Sequence, residues 1–259
     1  MPSLRELLEA IDPDDGLSLP ADWTQGRTAY GGLTAACALR VARQCTDEVL
    51  GPLRSAQLSF VGPAEGQLHF APSVLRAGRS VTSIGVDVHG EAGMAARALF
   101  VFGHARSGNP SHDFSQPPPV RGPESYPPLQ PPPGLAPAFI SNFELRPAAG
   151  ALPLSGSDNP EQVVWVAHRD SEGVPADIAL LAAADALPPA ALAACRRPTP
   201  ASTISWSLDL LGEVTSTPWY LLRSASVHAG DGYSVQTMQA WDLDGRMLLR
   251  GRQCVAVFA

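Results

Sequence analysis

Short runs of alternating apolar and polar residues make up much of the chain, and two alanine-rich apolar segments interrupt them. The clearest alternation spans residues 83–89, where Ile84, Val86 and Val88 are apolar and the residues between them are not. A period of two predicts a β-strand. On this pattern the first part of the chain is predicted to contain strands at residues 53–61, 66–77, 80–89 and 94–103.

The two alanine-rich segments have the length and composition of buried helices. The first is predicted to begin at Gly31-Gly32 and to run to residue 42. The second is predicted over residues 176–187, ending at Pro188-Pro189 because proline does not continue a helix. Further strands follow it, at residues 203–211, 218–228, 232–241 and 246–258.

The order of one helix and four strands therefore occurs twice, and short sequence matches support a duplication. Phe60-Val-Gly62 recurs as Leu210-Leu-Gly212, and Val101-Phe102 recurs as Val257-Phe258. A curved antiparallel sheet needs its concave face filled, and a helix without a broad polar face can fill it. The predicted fold class is α+β, a double hot-dog with two tandem halves, each a long apolar helix wrapped by a curved sheet. Continuing one sheet into the other would bury sheet edges.

Proline is concentrated between the two halves, since 11 of the 26 prolines lie within residues 110–137. Neither a helix nor a central strand tolerates that density, so an extended, semi-rigid segment is predicted. We interpret it as a linker on the surface, with an SH3-type ligand as the alternative. The predicted organisation is an N-terminal half at 1–105, a linker at 106–138 and a C-terminal half at 139–259.

Composition narrows the class of protein. Apolar residues form 45% of the 259 residues and charged residues 17%, which predicts a folded chain with a substantial core. The chain has no apolar run long enough for a membrane span, and its first residues lack the apolar region of a signal peptide. The net charge of −7 disfavours nucleic acid and membrane surfaces as partners.

Two residue types limit the chemistry further. All 18 basic residues are arginine, which excludes a lysine Schiff base and a Walker lysine. The four cysteines are widely spaced and include no CxxC pair, so neither a disulfide framework nor a zinc site is predicted. We expect a reduced, cytoplasmic protein that holds no metal. A serine α/β-hydrolase is disfavoured because the chain has no Gly-x-Ser-x-Gly motif.

A series of short motifs then identifies a family. In chain order these are Arg27-Thr-Ala-Tyr-Gly-Gly32, Leu58-Ser-Phe-Val-Gly-Pro63, Leu75-Arg-Ala-Gly-Arg-Ser80, Asp185 before Pro-Pro, Thr203, Gly232-Tyr233, Asp244-Gly245 and Gln253. Over about residues 20–105 and 140–259 the chain resembles the acyl-CoA thioesterase II (TesB-like) family of double hot-dog proteins. The resemblance implies an acyl-CoA substrate, no cofactor, and a homodimer or a larger homo-oligomer.

The resemblance also implies a catalytic trio, formed by an Asp on the second helix, a Thr at the start of the next strand and a Gln on the last strand. By position these are Asp185, Thr203 and Gln253. Ser205 stands where family members often carry an Asp. Ser202 or Ser205 are alternatives to Thr203 as the source of the hydroxyl group.

The residues can also be interpreted without the family. Asp185 lies in an apolar stretch, where a carboxylate is costly unless it is paired or its pKa rises; an exposed helix position is the alternative. Gln253 shares a strand face with apolar residues, so its amide needs partners, which a structural hydrogen bond would also satisfy. Thr203 shares a face with Ser205 and Ser207 and is predicted to point outward unless a β-bulge reverses it.

Three residues are candidates for substrate binding. Gly31 and Gly32 would let a ligand approach a helix N-terminus, where backbone N–H groups stabilise an oxyanion; tight helix–sheet packing is the alternative. Arg79, in a hairpin turn, is a candidate for the CoA phosphates.

The first half of the duplication is predicted to lack the trio. Sequence offsets match Thr203 with Leu53 and Gln253 with Arg97, so we expect one hydrolytic site per chain. Two other functions stay open on the same scaffold, a non-catalytic acyl-CoA or acyl-ligand binding protein and a hot-dog enoyl-CoA hydratase. The hydratase is disfavoured because no His follows Asp158-Asn-Pro160 at close spacing.

Overall fold

The computed structural model describes residues 2–108, 110–132 and 134–258. The helices and strands of the first half are α1 (Leu4–Glu9), β1 (Leu17–Ser18), β2 (Thr24–Gln25), β3 (Thr28–Ala29), α2 (Gly31–Gln44), β4 (Leu53–Phe60), β5 (Gln67–Ala77), β6 (Val81–Gly90) and β7 (Gly93–Gly103). Those of the second half are β8 (Phe143–Gly150), β9 (Glu161–His168), α3 (Ala176–Ala184), β10 (Ala201–Leu210), β11 (Tyr220–Gly230), β12 (Tyr233–Trp241) and β13 (Met247–Val257).

One antiparallel sheet runs through both halves. Within the described residues it has 11 strands in the order β1-β5-β6-β7-β4-β10-β13-β12-β11-β9-β8. The halves meet where β4 pairs with β10, with Leu58 opposite Trp206. The prediction that one sheet continues into the other is therefore confirmed, and the edges of both halves at this junction are hydrogen-bonded rather than exposed.

The two central helices lie together inside the curved sheet. They run antiparallel, because Tyr30, just before α2, donates a hydrogen bond from Oη to Ala182 O of α3 at 2.8 Å, while Arg43 pairs with Asp177 at the opposite end. Residues 178–184 of α3 are all buried. Both helices pack in a single core with strands of both halves. No helix in the described part of the chain is long and apolar enough to cross a bilayer.

The second helix is shorter than predicted. It ends at Ala184 instead of residue 187, and Asp185 is its C-cap. The N–H of Ala186 donates to the carbonyl of Ala183, a tight bond that closes the last turn. Pro188 disfavours helical backbone in the residue before it, so the chain leaves the helix early and Asp185 stands at its end.

Two strands, β8 and β9, precede α3 where the sequence pattern predicted none. All six residues 162–167 of β9 are buried, so the strand has no polar face and no period of two. The proline-rich segment covers the outer face: Trp165 donates to Arg121 O at 2.9 Å, and Leu129 N–H donates to Leu145 O at 2.7 Å. This arrangement favours the interpretation of the segment as a surface linker.

The strand register supports the duplication and corrects one residue match. A β-bulge occurs between Leu53 and Ser55 of β4 and again between Thr203 and Ser205 of β10, at corresponding positions. Carried across the sheet, the register places Phe100 at the position of Gln253, because Phe100 lies opposite Ala56. The match of Gln253 with Arg97 was therefore wrong. The hairpins of the two halves differ in length, so a sequence offset taken at the end of the last strand does not apply at Gln253.

Candidate active site

A cleft of about 440 Å³ opens where the two halves meet. The N-terminal half provides most of its wall, and the C-terminal half provides Asp185 and residues 201–203. The lining residues are Gln25, Thr28, Ala29, Gly31, Thr34, Phe60, Val61, Gly62, Pro63, Ala64, Ala95, Ala96, Asp185, Ala201, Ser202 and Thr203. Asp185 is the one charged side chain among these described residues. The cleft is therefore a small, largely uncharged space around a single carboxylate.

Asp185 is held at the junction of the two helices. As the C-cap of α3 it faces the N-terminus of α2, where it is hydrogen-bonded to the backbone N–H of Gly32. Gln253 Nε2 donates to its Oδ1 at 2.7 Å. The other oxygen, Oδ2, lies beside Gly31 in the cleft, since a Cβ built on Gly31 would be 2.7 Å from it.

The environment of this carboxyl raises its pKa. Burial raises the pKa from its ordinary 3.8 to about 7, while the hydrogen bonds from Gln253 and Gly32 lower it. Burial disfavours the charged form and the two donors favour it. Burial, and after it the negative charge of Asp185, raise the pKa of the nearby Tyr30 hydroxyl. That hydroxyl donates a hydrogen bond to Ala182 O. A carboxylate with a pKa near neutrality is suited to accept a proton at physiological pH.

Thr203 lines the same cleft, and the β-bulge explains why. Thr203 lies opposite Val255 and Ser205 lies opposite Cys254, so Ile204 has no partner and the alternation reverses at that point. The side chain of Ile204 is 39% exposed as a result. Ser202 also lines the cleft, whereas Ser205 is not among the lining residues of the described chain.

Gln253 has a second buried glutamine, Gln236, as its hydrogen-bond partner, and the sequence pattern had not singled this residue out. Gln236 on β12 lies opposite Gln253 on β13 and donates from Nε2 to Gln253 Oε1 at 2.7 Å. Gln236 in turn accepts a hydrogen bond from the backbone N–H of Ala190 at 2.7 Å. Both glutamines are at most 3% exposed. The signal that would have found Gln236 is its place on the same strand face as Met238 and Ala240.

The two glycines at the start of α2 have different surroundings. Gly31 lines the cleft next to Asp185. A Cβ on Gly32 would lie 2.6 Å from Ala182 O and from the ring of Tyr30, so Gly32 allows α2 and α3 to approach closely. The packing interpretation therefore fits Gly32, whereas the approach of a ligand at Gly31 stays a prediction.

The structure does not bring Arg79 to the cleft. Arg79 lies exposed in the turn between β5 and β6. The cleft is lined instead by Ala95 and Ala96, and Ala96 lies opposite Val88 near the other end of β6. At about 3.3 Å per residue the two ends of this strand, Val81 and Gly90, are roughly 30 Å apart.

Replacing Gly31 with alanine tests the position of Asp185 Oδ2. The new methyl group would displace Oδ2 of a carboxyl group whose Oδ1 is held by Gln253. We therefore expect kcat/KM for the hydrolysis that the family resemblance implies to fall roughly tenfold, with little change in the melting temperature. Gly32→Ala is the matched comparison, because its methyl group meets backbone and should lower the melting temperature instead. Full activity in Gly31→Ala would contradict the described geometry.

Among the described residues, no group of three or more His, Cys, Asp or Glu side chains could hold a metal ion. The chemistry available here is that of a carboxylate at the edge of a cleft, an oriented amide, a hydroxyl group and a helix N-terminus. Such a set can hold a water molecule, accept its proton and stabilise an oxyanion.

Comparison with known protein families identifies the class of enzyme to which the chain belongs. A family model for the acyl-CoA thioesterase N-terminal domain matches residues 19–103, and one for the acyl-CoA thioesterase C-terminal domain matches residues 123–257. The chain belongs to the acyl-CoA thioesterase family. It is accordingly a thioester hydrolase whose substrate class is acyl-CoA. A comparison with curated protein sequences gives no match.

Solved structures show the same fold as this thioesterase. A hot-dog protein of unknown function from Alicyclobacillus acidocaldarius is 22% identical with a TM-score of 0.84, covering 94% of this chain and 92% of its own. A putative thioesterase II from Thermobifida fusca YX is 20% identical with a TM-score of 0.80, covering 94% and 91%. A putative thioesterase from Novosphingobium aromaticivorans is 25% identical with a TM-score of 0.75, covering 95% and 97%. The double hot-dog prediction is thereby confirmed.

Proposed function

We propose that this thioesterase hydrolyses the thioester of fatty acyl-CoA to a free acid and CoA, with water activated by Asp185. The observation that carries the proposal is the carboxyl group of Asp185. This residue lines the cleft, its Oδ2 lies beside Gly31, its Oδ1 accepts a hydrogen bond from Gln253, and burial raises its pKa to about 7.

The step needs few groups. Asp185 accepts a proton from water as the water oxygen attacks the thioester carbonyl carbon. Thr203, which lines the cleft, orients that water, and Gln253 orients the carboxylate. The Gly32 N–H at the start of α2 is directed at Asp185, and another backbone N–H at this helix N-terminus stabilises the oxyanion. The carbon–sulfur bond then breaks, and the thiolate leaves without strong acid assistance because a thiol pKa is close to 8.5.

The two halves of the chain contribute different parts of the cleft, the C-terminal half its catalytic residues and the N-terminal half most of its wall. The wall from the N-terminal half is formed mainly by small apolar and hydroxyl-bearing residues, together with Phe60 and Gln25, which suits the acyl segment next to the thioester. In that half Leu53 and Phe100, both at most 1% exposed, stand at the positions of Thr203 and Gln253. One hydrolytic site per chain follows from this difference.

A thiol-release assay over short, medium and long acyl-CoA substrates tests the proposal. We expect equal amounts of free CoA thiol and free acid from at least one chain length. Tight binding without thiol release would identify a non-catalytic acyl-CoA binding protein instead. Hydration of an enoyl-CoA without thiol release would identify a hydratase.

The family resemblance also supports a cytoplasmic enzyme that forms at least a homodimer. Apolar side chains exposed near the ends of the β5–β6 and β11–β12 hairpins, such as Leu75 at 61% and Val227 at 65%, favour such an assembly. Sedimentation of the purified chain measures its state directly.

A further inference from the structure

Three side-chain and backbone groups form a buried chain of hydrogen bonds that ends on Asp185. Its first donor is the backbone N–H of Ala190, which donates to Gln236 Oε1. Gln236 Nε2 donates to Gln253 Oε1, and Gln253 Nε2 donates to Asp185 Oδ1. Each of the three bonds is 2.7 Å long.

The direction of this chain is fixed at its far end. A backbone N–H can only donate, so Gln236 must turn its oxygen toward Ala190 and its NH₂ group toward Gln253. Gln253 must then accept through its oxygen, which leaves its own NH₂ group pointing at Asp185. Without Gln236, rotation of the Gln253 amide by half a turn would place an oxygen against the carboxylate.

We propose that Gln236 is a positioning residue for catalysis, acting through Gln253 to keep an N–H donor on Asp185. The inference rests on the proposed function for its catalytic meaning, and on the hydrogen-bond geometry for its structural one. Gln236 does not line the cleft and has no direct contact with the reacting atoms. By keeping this donor in place, Gln236 favours the ionised form of the Asp185 carboxyl group and fixes the direction of Oδ2.

A second buried glutamine supplies a matched control. Gln162 on β9 is 4% exposed and donates from Nε2 to Pro188 O at 3.1 Å. It therefore anchors the same loop after α3, two residues from Ala190, but makes no bond to Gln253. A purely structural role in holding this loop would be shared by Gln162 and Gln236, whereas the orientation of Gln253 depends on Gln236 alone.

The kinetic test compares Gln236→Met with Gln162→Met in the full chain, using an acyl-CoA that the wild type hydrolyses. Both variants should have lower melting temperatures, because each leaves a buried loop group unpaired. Gln236→Met should also lower kcat roughly tenfold with KM unchanged, and should move the midpoint of the pH profile upward. The same change in a Gln253→Met background should have no further effect on kcat. Equal effects of the two glutamine variants on kcat would overturn the proposal.

A measurement on the wild type keeps the test independent of variant folding and of activity. The nitrogen-15 signals of the Gln253 and Gln236 side-chain amides should titrate with one common midpoint as Asp185 ionises, while the Gln162 signal stays constant. A Gln236 signal that does not respond would overturn the proposal. If the two signals titrate together and no acyl-CoA is hydrolysed, the proposed function fails and the positioning by Gln236 stands.

Discussion

Replacing Asp185 with asparagine is expected to abolish thioester hydrolysis while the chain stays folded. The asparagine oxygen can still accept the hydrogen bond that Gln253 donates to Oδ1, so the cleft keeps its shape. The group that accepts the proton of water is lost, and we expect kcat to fall by roughly a thousandfold. The measurement is single-turnover thiol release, with binding of a non-hydrolysable acyl-CoA analogue as the control for an intact cleft.

The same substitution should increase the free energy of unfolding at neutral and higher pH, although it abolishes activity. The folded chain raises the pKa of Asp185 from 3.8 to about 7, so between these pH values the folded state retains a proton that the unfolded state has released. Stability of the wild type therefore falls as pH rises from about 4 to about 7. The difference corresponds to at most roughly 4 kcal/mol.

Denaturant unfolding of both proteins at several pH values measures this effect. Asp185→Asn carries no ionisable group at this position, so it should equal the wild type near about pH 4 and be more stable than the wild type near about pH 8. An active Asp185→Asn variant, or one that is less stable than the wild type across this whole range, would contradict the role assigned to the carboxyl group.

The activity of the wild type should rise with pH through the same window. A general base works in its ionised form, so kcat/KM should increase about tenfold per pH unit below about pH 7 and level off above it. Activity and stability thus change with opposite signs as Asp185 loses its proton. The measurement is the pH–rate profile after subtraction of spontaneous thioester hydrolysis, with unfolding checked at each pH.

The shape of that profile separates two roles of the carboxyl group. A rise toward high pH indicates a base. A rate that is constant between about pH 5 and about pH 8, or that falls through about pH 7, would mean that the ionised form of Asp185 is not the active one.

Much of the fold follows from the sequence because most strands have one buried and one open face. Strand β6 shows the full alternation, with Ile84, Val86 and Val88 at most 1% exposed, and its predicted bounds agree closely with the observed ones. The order of helices and strands then leaves few ways to bury both helices. The repeat of that order made the continuous sheet predictable.

Features that depend on contacts across the fold were not predictable in the same way. Strand β9 has no alternation because the proline-rich segment covers its outer face, and that docking is not visible in the local pattern. The inward direction of Thr203 depends on a β-bulge, which shifts the register by one residue. The burial of Gln236 could be predicted from its strand face, but its hydrogen bond to Gln253 depends on the pairing of β12 with β13.

Two residues of the candidate site could be singled out from the sequence because they are polar residues in apolar surroundings. Asp185 and Gln253 stand out as polar residues in apolar surroundings, and the structure brings them within hydrogen-bond distance of each other. Arg79 had no such signal, only a charge in a turn. A buried polar residue is constrained by its partners, whereas an exposed arginine is free to lie anywhere on the surface.

The pKa of the Asp185 carboxyl group is the quantity on which the mechanism most depends. Carbon-13 NMR titration of the aspartate carboxyl carbons, with the Asp185 signal assigned by its absence in Asp185→Asn, measures it directly. We expect a midpoint of about 7, equal to the midpoint of the kcat/KM profile. A midpoint close to the ordinary value near 4, or one that differs clearly from the kinetic midpoint, would contradict it.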